Sequence, residues 1–124
     1  MTRESRQWSE ERVAELCRGD GEFRLAARYW TGSLRLANGD NVIELRLEDG
    51  TVSPGGPCGE GPGHIGLSGP ADVWTQMLAP VPAPFFNDIM PAQAFGLRHD
   101  GDTETMWQYY PAVRRVIELM RQPA

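Results

Sequence analysis

The run Ser33–Ser53, "SLRLANGDNVIELRLEDGTVS", constrains this chain more than any other stretch, because its apolar residues recur at every second position and glycine turns cut it twice. Leu34 and Leu36 stand on one side of Asn38-Gly39, and Val42 with the series Ile43, Leu45 and Leu47 on the other, which is a β-hairpin signature. Asp49-Gly50 supplies a second tight turn into Thr51–Ser53, so three antiparallel strands are predicted in succession. Leu45 and Leu47 alternate with Glu44, Arg46 and Glu48, so one sheet face is expected to be covered and the other solvated.

The cover must come from the flanking segments. Ser9-Glu10-Glu11 followed by Val13, Leu16 and Cys17 reads as a capped amphipathic helix. Beyond "RGDG", Phe23, Ala26, Ala27 and Trp30 recur at i, i+3, i+4 and i+7, predicting a second helix with Asp20 as its cap. Downstream, Pro54–Gly63 is a Gly/Pro-rich exposed loop and "HIGLSG" a fourth strand. A helix follows, with Ser68 or Gly69 near its cap, Pro70 near its first turn, and Val73, Trp74, Met77 and Leu78 as its stripe. "PVPAP" stops it. Phe85, Phe86, Ile89 and Met90 form a short helical knot before Pro91, and Phe95, Leu97 and His99 alternate as a fifth strand. Asp100-Gly101-Asp102 then turns into a closing helix from about Thr103, interrupted near Pro111 and running on through Val113, Val116, Ile117 and Met120. At 124 residues the expectation is a single α+β domain over 1–124, with 1–22 as a helical lead-in and 54–63 as a loop.

Charge and motifs remove several function classes. Twelve basic residues spread along the chain stand against 17 acidic ones, a formal charge of −5, so nucleic acid is not an expected partner. No apolar run approaches the ~20 residues that span a bilayer, and the start lacks a signal-peptide core, so a soluble, cytoplasmic protein without integral membrane association is expected. Cys17 and Cys58 have no disulfide or zinc spacing and read as reduced thiols. His64 and His99 lack HxxxH or CxxC partners and read as surface or rim residues; no metal and no cofactor are expected. "GLSGP" has a proline where a nucleophile elbow needs its second glycine, so Ser68 reads as a cap. "PGGPCGEGPG" lacks the GK[ST] ending of a phosphate loop, and Asp100–Glu104 lacks the ligand series of a calcium loop. Asp88, His99, Asp100, Asp102 and Tyr110 remain as groups able to move protons.

Bulky side chains crowd the second half: Trp74, Met77, Phe85, Phe86, Met90, Phe95, Met106, Trp107, Tyr109 and Tyr110. Composition leaves open whether they fill a core or wall a cavity.

The order of elements resembles the sterol carrier protein 2-like (SCP2-like) domain over roughly Phe23–Met120, the carrying pieces being "VIELRLEDGTVS", "IGLSGPADVWTQML", "PFFNDIM" and "AFGLRHDGDTETMWQYY". The chain is also similar to the extra N-terminal region of some bacterial α/β-hydrolase-like proteins. The first resemblance implies an α+β fold with an about five-stranded, mainly antiparallel sheet covered by helices. It also implies an apolar pocket between sheet and helices, taking a lipid, an acyl chain or a polycyclic or polyketide-like biosynthetic intermediate of bacteria. By position the lining would come from Trp74, Met77, Leu78, Phe85, Phe86, Ile89, Met90, Met106, Trp107 and Tyr110. Three functions fit: a carrier of a hydrophobic small molecule, a pocket enzyme for isomerisation, cyclisation or proton transfer, or an accessory domain that docks a hydrolase-like partner or a second copy.

Overall fold

The computed structural model describes residues 8–55 and 61–121. Cys58 and half of the Gly/Pro-rich loop lie outside them.

The period-two run makes the predicted meander. Strand β1 is Gly32–Asn38, β2 Asn41–Glu48 and β3 Thr51–Pro54, each antiparallel to the one before. The first turn is Gly39-Asp40, one residue later than the Asn38-Gly39 reading, because Asn38 still pairs with Asn41 and Gly39 takes the positive φ of 59°. Strand β4, His64–Gly69, runs parallel to β1, and β5, Arg98–Gly101, closes antiparallel on β4. The sheet order is β3-β2-β1-β4-β5, five strands that are antiparallel except at the centre. Register explains the apolar face: Ile65, Leu34 and Leu45 form one cross-strand row, and Leu67, Leu36 and Ile43 the next, all buried. The other face of the hairpin carries the Arg35–Glu44 ion pair.

Six α-helices among the described residues complete the fold. Ser9 caps α1 (Glu10–Arg18) by accepting from Arg12 N, and Asp20 caps α2 (Gly21–Ala26) by accepting from Phe23 N. Helix α2 ends at Ala26, so Trp30 of the predicted stripe lies beyond it. The reach of Trp30 is nonetheless inward: it is fully buried, its indole N–H donates to the Gly63 carbonyl at 2.8 Å, and its ring stacks on Tyr109 at 5.1 Å and 9°. Helix α3 is Ala71–Met77, and its N-cap is Pro70. Ser68 is not a cap, as the cap grammar suggested, because it still belongs to β4 and pairs with Arg98. Helix α4 (Ile89–Ala92) contains Pro91 instead of ending before it, since a proline in a first turn forfeits no helical hydrogen bond.

The alternation Phe95, Leu97, His99 does not extend into one strand. Gln93–Phe95 forms a 3₁₀ turn closed by Gly96 at φ 115°, and only Leu97 of the apolar pair turns into the core. The closing helix is two pieces, α5 (Thr103–Gln108) and α6 (Tyr110–Met120), broken at Tyr109 with Pro111 in the first turn of α6. Arg115 of α6 clasps the α2 cap in a two-pronged pair with Asp20, both bonds 2.9 Å, which holds the Asp20 carboxyl below the usual carboxylate range.

Trp30 is the residue whose removal this packing predicts to cost most. Trp30→Ala is expected to lose about 3–5 kcal/mol in equilibrium denaturation, as buried Trp truncations do. A loss below about 1 kcal/mol would show that neither the stack nor the indole hydrogen bond holds the fold.

Candidate functional site

Between α3 and β5 the chain has too many prolines to continue a helix, and it uses them to present aromatics. Phe86 N donates to the Ala83 carbonyl, and Phe85 is held at φ 75°, a left-handed conformation costly for a bulky residue. The turn brings three rings together, with Phe86 at 4.9 Å and Phe85 at 5.8 Å from Phe95. Phe85 and Phe95 stay 58% and 49% exposed, whereas Phe86 rests against the core.

Asp88 fixes this segment to the closing helices. Its Oδ1 accepts from Ile89 N, capping α4, and from the Tyr110 hydroxyl, both at 2.7 Å, with Arg114 3.7 Å away. The Tyr110 oxygen in turn accepts from Met90 N at 3.3 Å. Burial and the bond to Asp88 push the Tyr110 phenol up to about 12, so it is a neutral donor across physiological pH. Trp107 stacks on Tyr110 at 6.1 Å and is 56% exposed. Two groups of rings result, Phe85–Phe86–Phe95 and Trp107–Tyr110, and Asp88, two residues after Phe86, ties the segment of the first to the second. Single exposed hydrophobes need no explanation, whereas a group of them held in position by hydrogen bonds and ring contacts does.

The residues expected to line a pocket divide between two environments. Trp74, Met77, Ile89 and Met106 are at most 1% exposed and sit inside the core, with the Trp74 indole donating to the Ala37 carbonyl at 2.9 Å. Leu78, Phe86 and Tyr110 lean on that core, and Phe85, Met90 and Trp107 face outward. Phe95 is at the centre of the ring cluster although it was read as a strand residue and was not among the expected lining. The following glycine was the available signal, since Gly96 ends the 3₁₀ turn that turns Phe95 towards Phe85 and Phe86.

The proton-transfer candidates occupy three separate places. Asp88 and Tyr110 are bonded to each other. His99 is exposed on β5 and its Nδ1 is bonded to the Gln93 amide, beside a shallow cleft at Gly96–Arg98. Asp100 and Asp102 line a cleft of about 760 Å³ with His64 and Glu104. Asp102 caps α5 and accepts from Thr105 Oγ1 at 2.6 Å and Gly63 N at 3.1 Å, bonds that hold its carboxyl below the usual range.

His64 is not a surface residue, as its sequence context suggested. It is 7% exposed because the parallel register sets it beside Ser33, whose Oγ lies 2.7 Å from Nδ1, while Nε2 is 3.9 Å from Asp100 Oδ1. Gly66 permits this arrangement: a Cβ there would stand 2.4 Å from the Asp100 carboxylate oxygen. Pairing of β1 with β4 was the missing information. Among the described residues no cluster of His, Cys, Asp or Glu could hold a metal ion, and burial pushes the Cys17 thiol up to about 12, leaving it unreactive. No helix among them is long and apolar enough to cross a membrane.

Solved structures place this architecture. The chain is similar to sterol carrier protein 2, with a TM-score of 0.67 at 21% identity over 92% of this chain and 97% of that one. It is also similar to a conserved hypothetical protein of Thermus thermophilus described as possibly a sterol carrier protein, with a TM-score of 0.64 at 17% identity over 93% and 88% of the two chains. The ubiquinone synthesis protein UbiJ-SCP2 aligns with a TM-score of 0.55 at 15% identity over 93% and 90%. No protein-family model and no curated protein matches the sequence. The fold is SCP2-like.

The Asp88–Tyr110 anchor makes a prediction. Tyr110→Phe should cost about 1 kcal/mol and remove a phenol that titrates at about 12 from an ultraviolet pH titration. A phenol raised by folding stabilises below its unfolded pKa and loses that contribution as pH rises through the folded value, so the wild type should lose stability between about 10 and 12 and the variant less. An unchanged titration would remove the anchor.

Proposed function

We propose that this protein binds and carries a hydrophobic small molecule with one polar end, and that the aromatic surface of Phe85, Phe86, Phe95, Met90, Trp107 and Tyr110 is where it is held. The observation that carries this reading is the anchored cluster itself. A fold of this size has core places for large apolar side chains, yet Phe85, Phe95 and Trp107 are each about half exposed and are kept in position by stacking and by Asp88. The similarity to sterol carrier protein 2 and UbiJ-SCP2 supports the class of ligand, a lipid-like or polycyclic compound.

Chemically, rings and a thioether supply an adaptable apolar wall, and the Tyr110 oxygen and indole N–H of Trp107 are polar handles for the far end of the ligand. Trp74, Met77, Ile89 and Met106 form the packed floor under that wall. Enclosing a long ligand would require the 79–95 segment to lift from this floor. The second reading, a pocket enzyme for proton transfer, is favoured by His64, whose Nε2 opens on the Asp100 cleft while Ser33 holds Nδ1. That cleft shares no residue with the aromatic surface, so the carrier reading does not depend on it.

Titration with a fluorescent fatty-acid analogue and with a polycyclic aromatic probe tests the carrier reading. Saturable one-to-one binding is expected, weakened roughly tenfold by Phe95→Ala or Trp107→Ala, the scale of one aromatic contact. Both variants should stay within about 1 kcal/mol of wild-type stability because these side chains are half exposed. Unchanged affinity in both variants, or no saturable binding of either probe, would overturn the assignment.

A further inference from the structure

We propose that the cleft between α1, α2 and the β2–β3 turn is a binding site for a phosphate monoester. It shares no element with the aromatic surface, so its fate is independent of the carrier reading. The open cleft has a volume of about 440 Å³ and is lined by Arg18, Arg24 and Arg28, with Asp49 on the turn, Thr51 at the start of β3 and Phe23 behind.

The charge pattern is what sets it apart. Every one of the 12 basic residues in this chain is arginine, and the chain as a whole is acidic at −5. Several guanidinium groups elsewhere are matched: Arg12 with Glu15, Arg35 with Glu44, Arg114 with Asp88, and Arg115 with Asp20, Glu22 and Glu118. Among the described residues, none of the three arginines of the cleft forms an ion pair with a carboxylate. Three positive charges against the single carboxylate of Asp49 leave a surplus of two. A phosphate monoester carries about −1.5 to −2 at pH 7 and is the oxyanion that the planar guanidinium fork fits best.

The walls are fixed by hydrogen bonds. Arg18 Nη1 donates to the Val52 carbonyl at 3.0 Å, which sets its guanidinium at the rim and leaves its other N–H groups for a ligand. The turn is held by Gly50 N donating to the Trp30 carbonyl at 2.8 Å and Asp49 N donating to Thr31 Oγ1 at 2.9 Å. Gly50 lies so close to the end of α2 that a Cβ would stand 3.0 Å from the Ala27 carbonyl. Arg28 lies over the ring of Tyr29, 5.3 Å from its centroid, and Tyr29 is held at φ 74°. Tyr29 and Leu25 are 71% and 63% exposed beside the arginines, which gives the organic group of the ester an apolar neighbour. The same chemistry is presented by a soluble phosphoester and by the headgroup of a phosphatidic acid.

Isothermal titration with inorganic phosphate and octyl phosphate, and flotation with phosphatidylcholine vesicles with and without phosphatidic acid, test the site. Saturable binding that weakens with added salt is expected. Arg24→Gln should weaken it at least about tenfold, the scale of one lost charge-assisted hydrogen bond. Arg98→Gln, an equal change of charge on β5, should leave it unchanged. Binding of octyl phosphate without vesicle recruitment identifies a soluble ester as the ligand, and recruitment only by phosphatidic acid identifies the lipid. Absence of saturable binding to all of these probes, or equal weakening by Arg24→Gln and Arg98→Gln, would overturn the proposal. Arg24 is exposed and has no ion-pair partner among the described residues, so its variant should keep the wild-type melting temperature and the comparison remains readable.

Discussion

The stack of Trp30 on Tyr109 ties together parts of the chain that are distant in sequence. Trp30 follows α2, its carbonyl accepts from the β2–β3 turn at Gly50, its indole N–H reaches Gly63 at the start of β4, and its ring lies on the residue where α5 gives way to α6. Its face-to-face contact buries the residue at which the closing helix breaks, just ahead of Pro111. Because the break falls at Tyr109, Tyr110 begins the next helix with its hydroxyl towards Asp88, and Trp107 is left on the outside.

A second constraint is that the sheet has only one strongly apolar face. The rows Ile65–Leu34–Leu45 and Leu67–Leu36–Ile43 demand cover, and α1, α2 and the α5–α6 pair supply it together with α3. Trp74, Met77 and Met106 are taken up by that demand. Phe85, Phe95 and Trp107 are left out of that cover, and each ends at the surface in contact with another ring.

Local pattern carried much of this in the sequence. The period-two run defined three strands to within a residue at the turn, the Ser9 and Asp20 caps were legible, and Pro111 marked the break in the closing helix. What was not legible depends on contacts between distant segments. His64 becomes buried only when β4 pairs parallel to β1, and nothing in "HIGLSG" states that partner. Phe95 alternates with Leu97 as a strand residue would, but the left-handed Gly96 between them breaks the alternation. The three arginines of the α1–α2 cleft belong to a set of basic residues spread along the sequence, and they form one cleft only because the β2–β3 turn is placed against them.

If the aromatic residues hold a hydrophobic molecule, that molecule should travel with the protein. Native mass spectrometry of the protein purified from its own host, followed by organic extraction, tests it most directly. The account predicts a stoichiometric mass adduct that extracts into organic solvent and that falls away in the Trp107→Ala protein. A wild-type protein that is wholly free of adduct when isolated gently, and that takes up none when incubated with a lipid extract of the same cells, would contradict it.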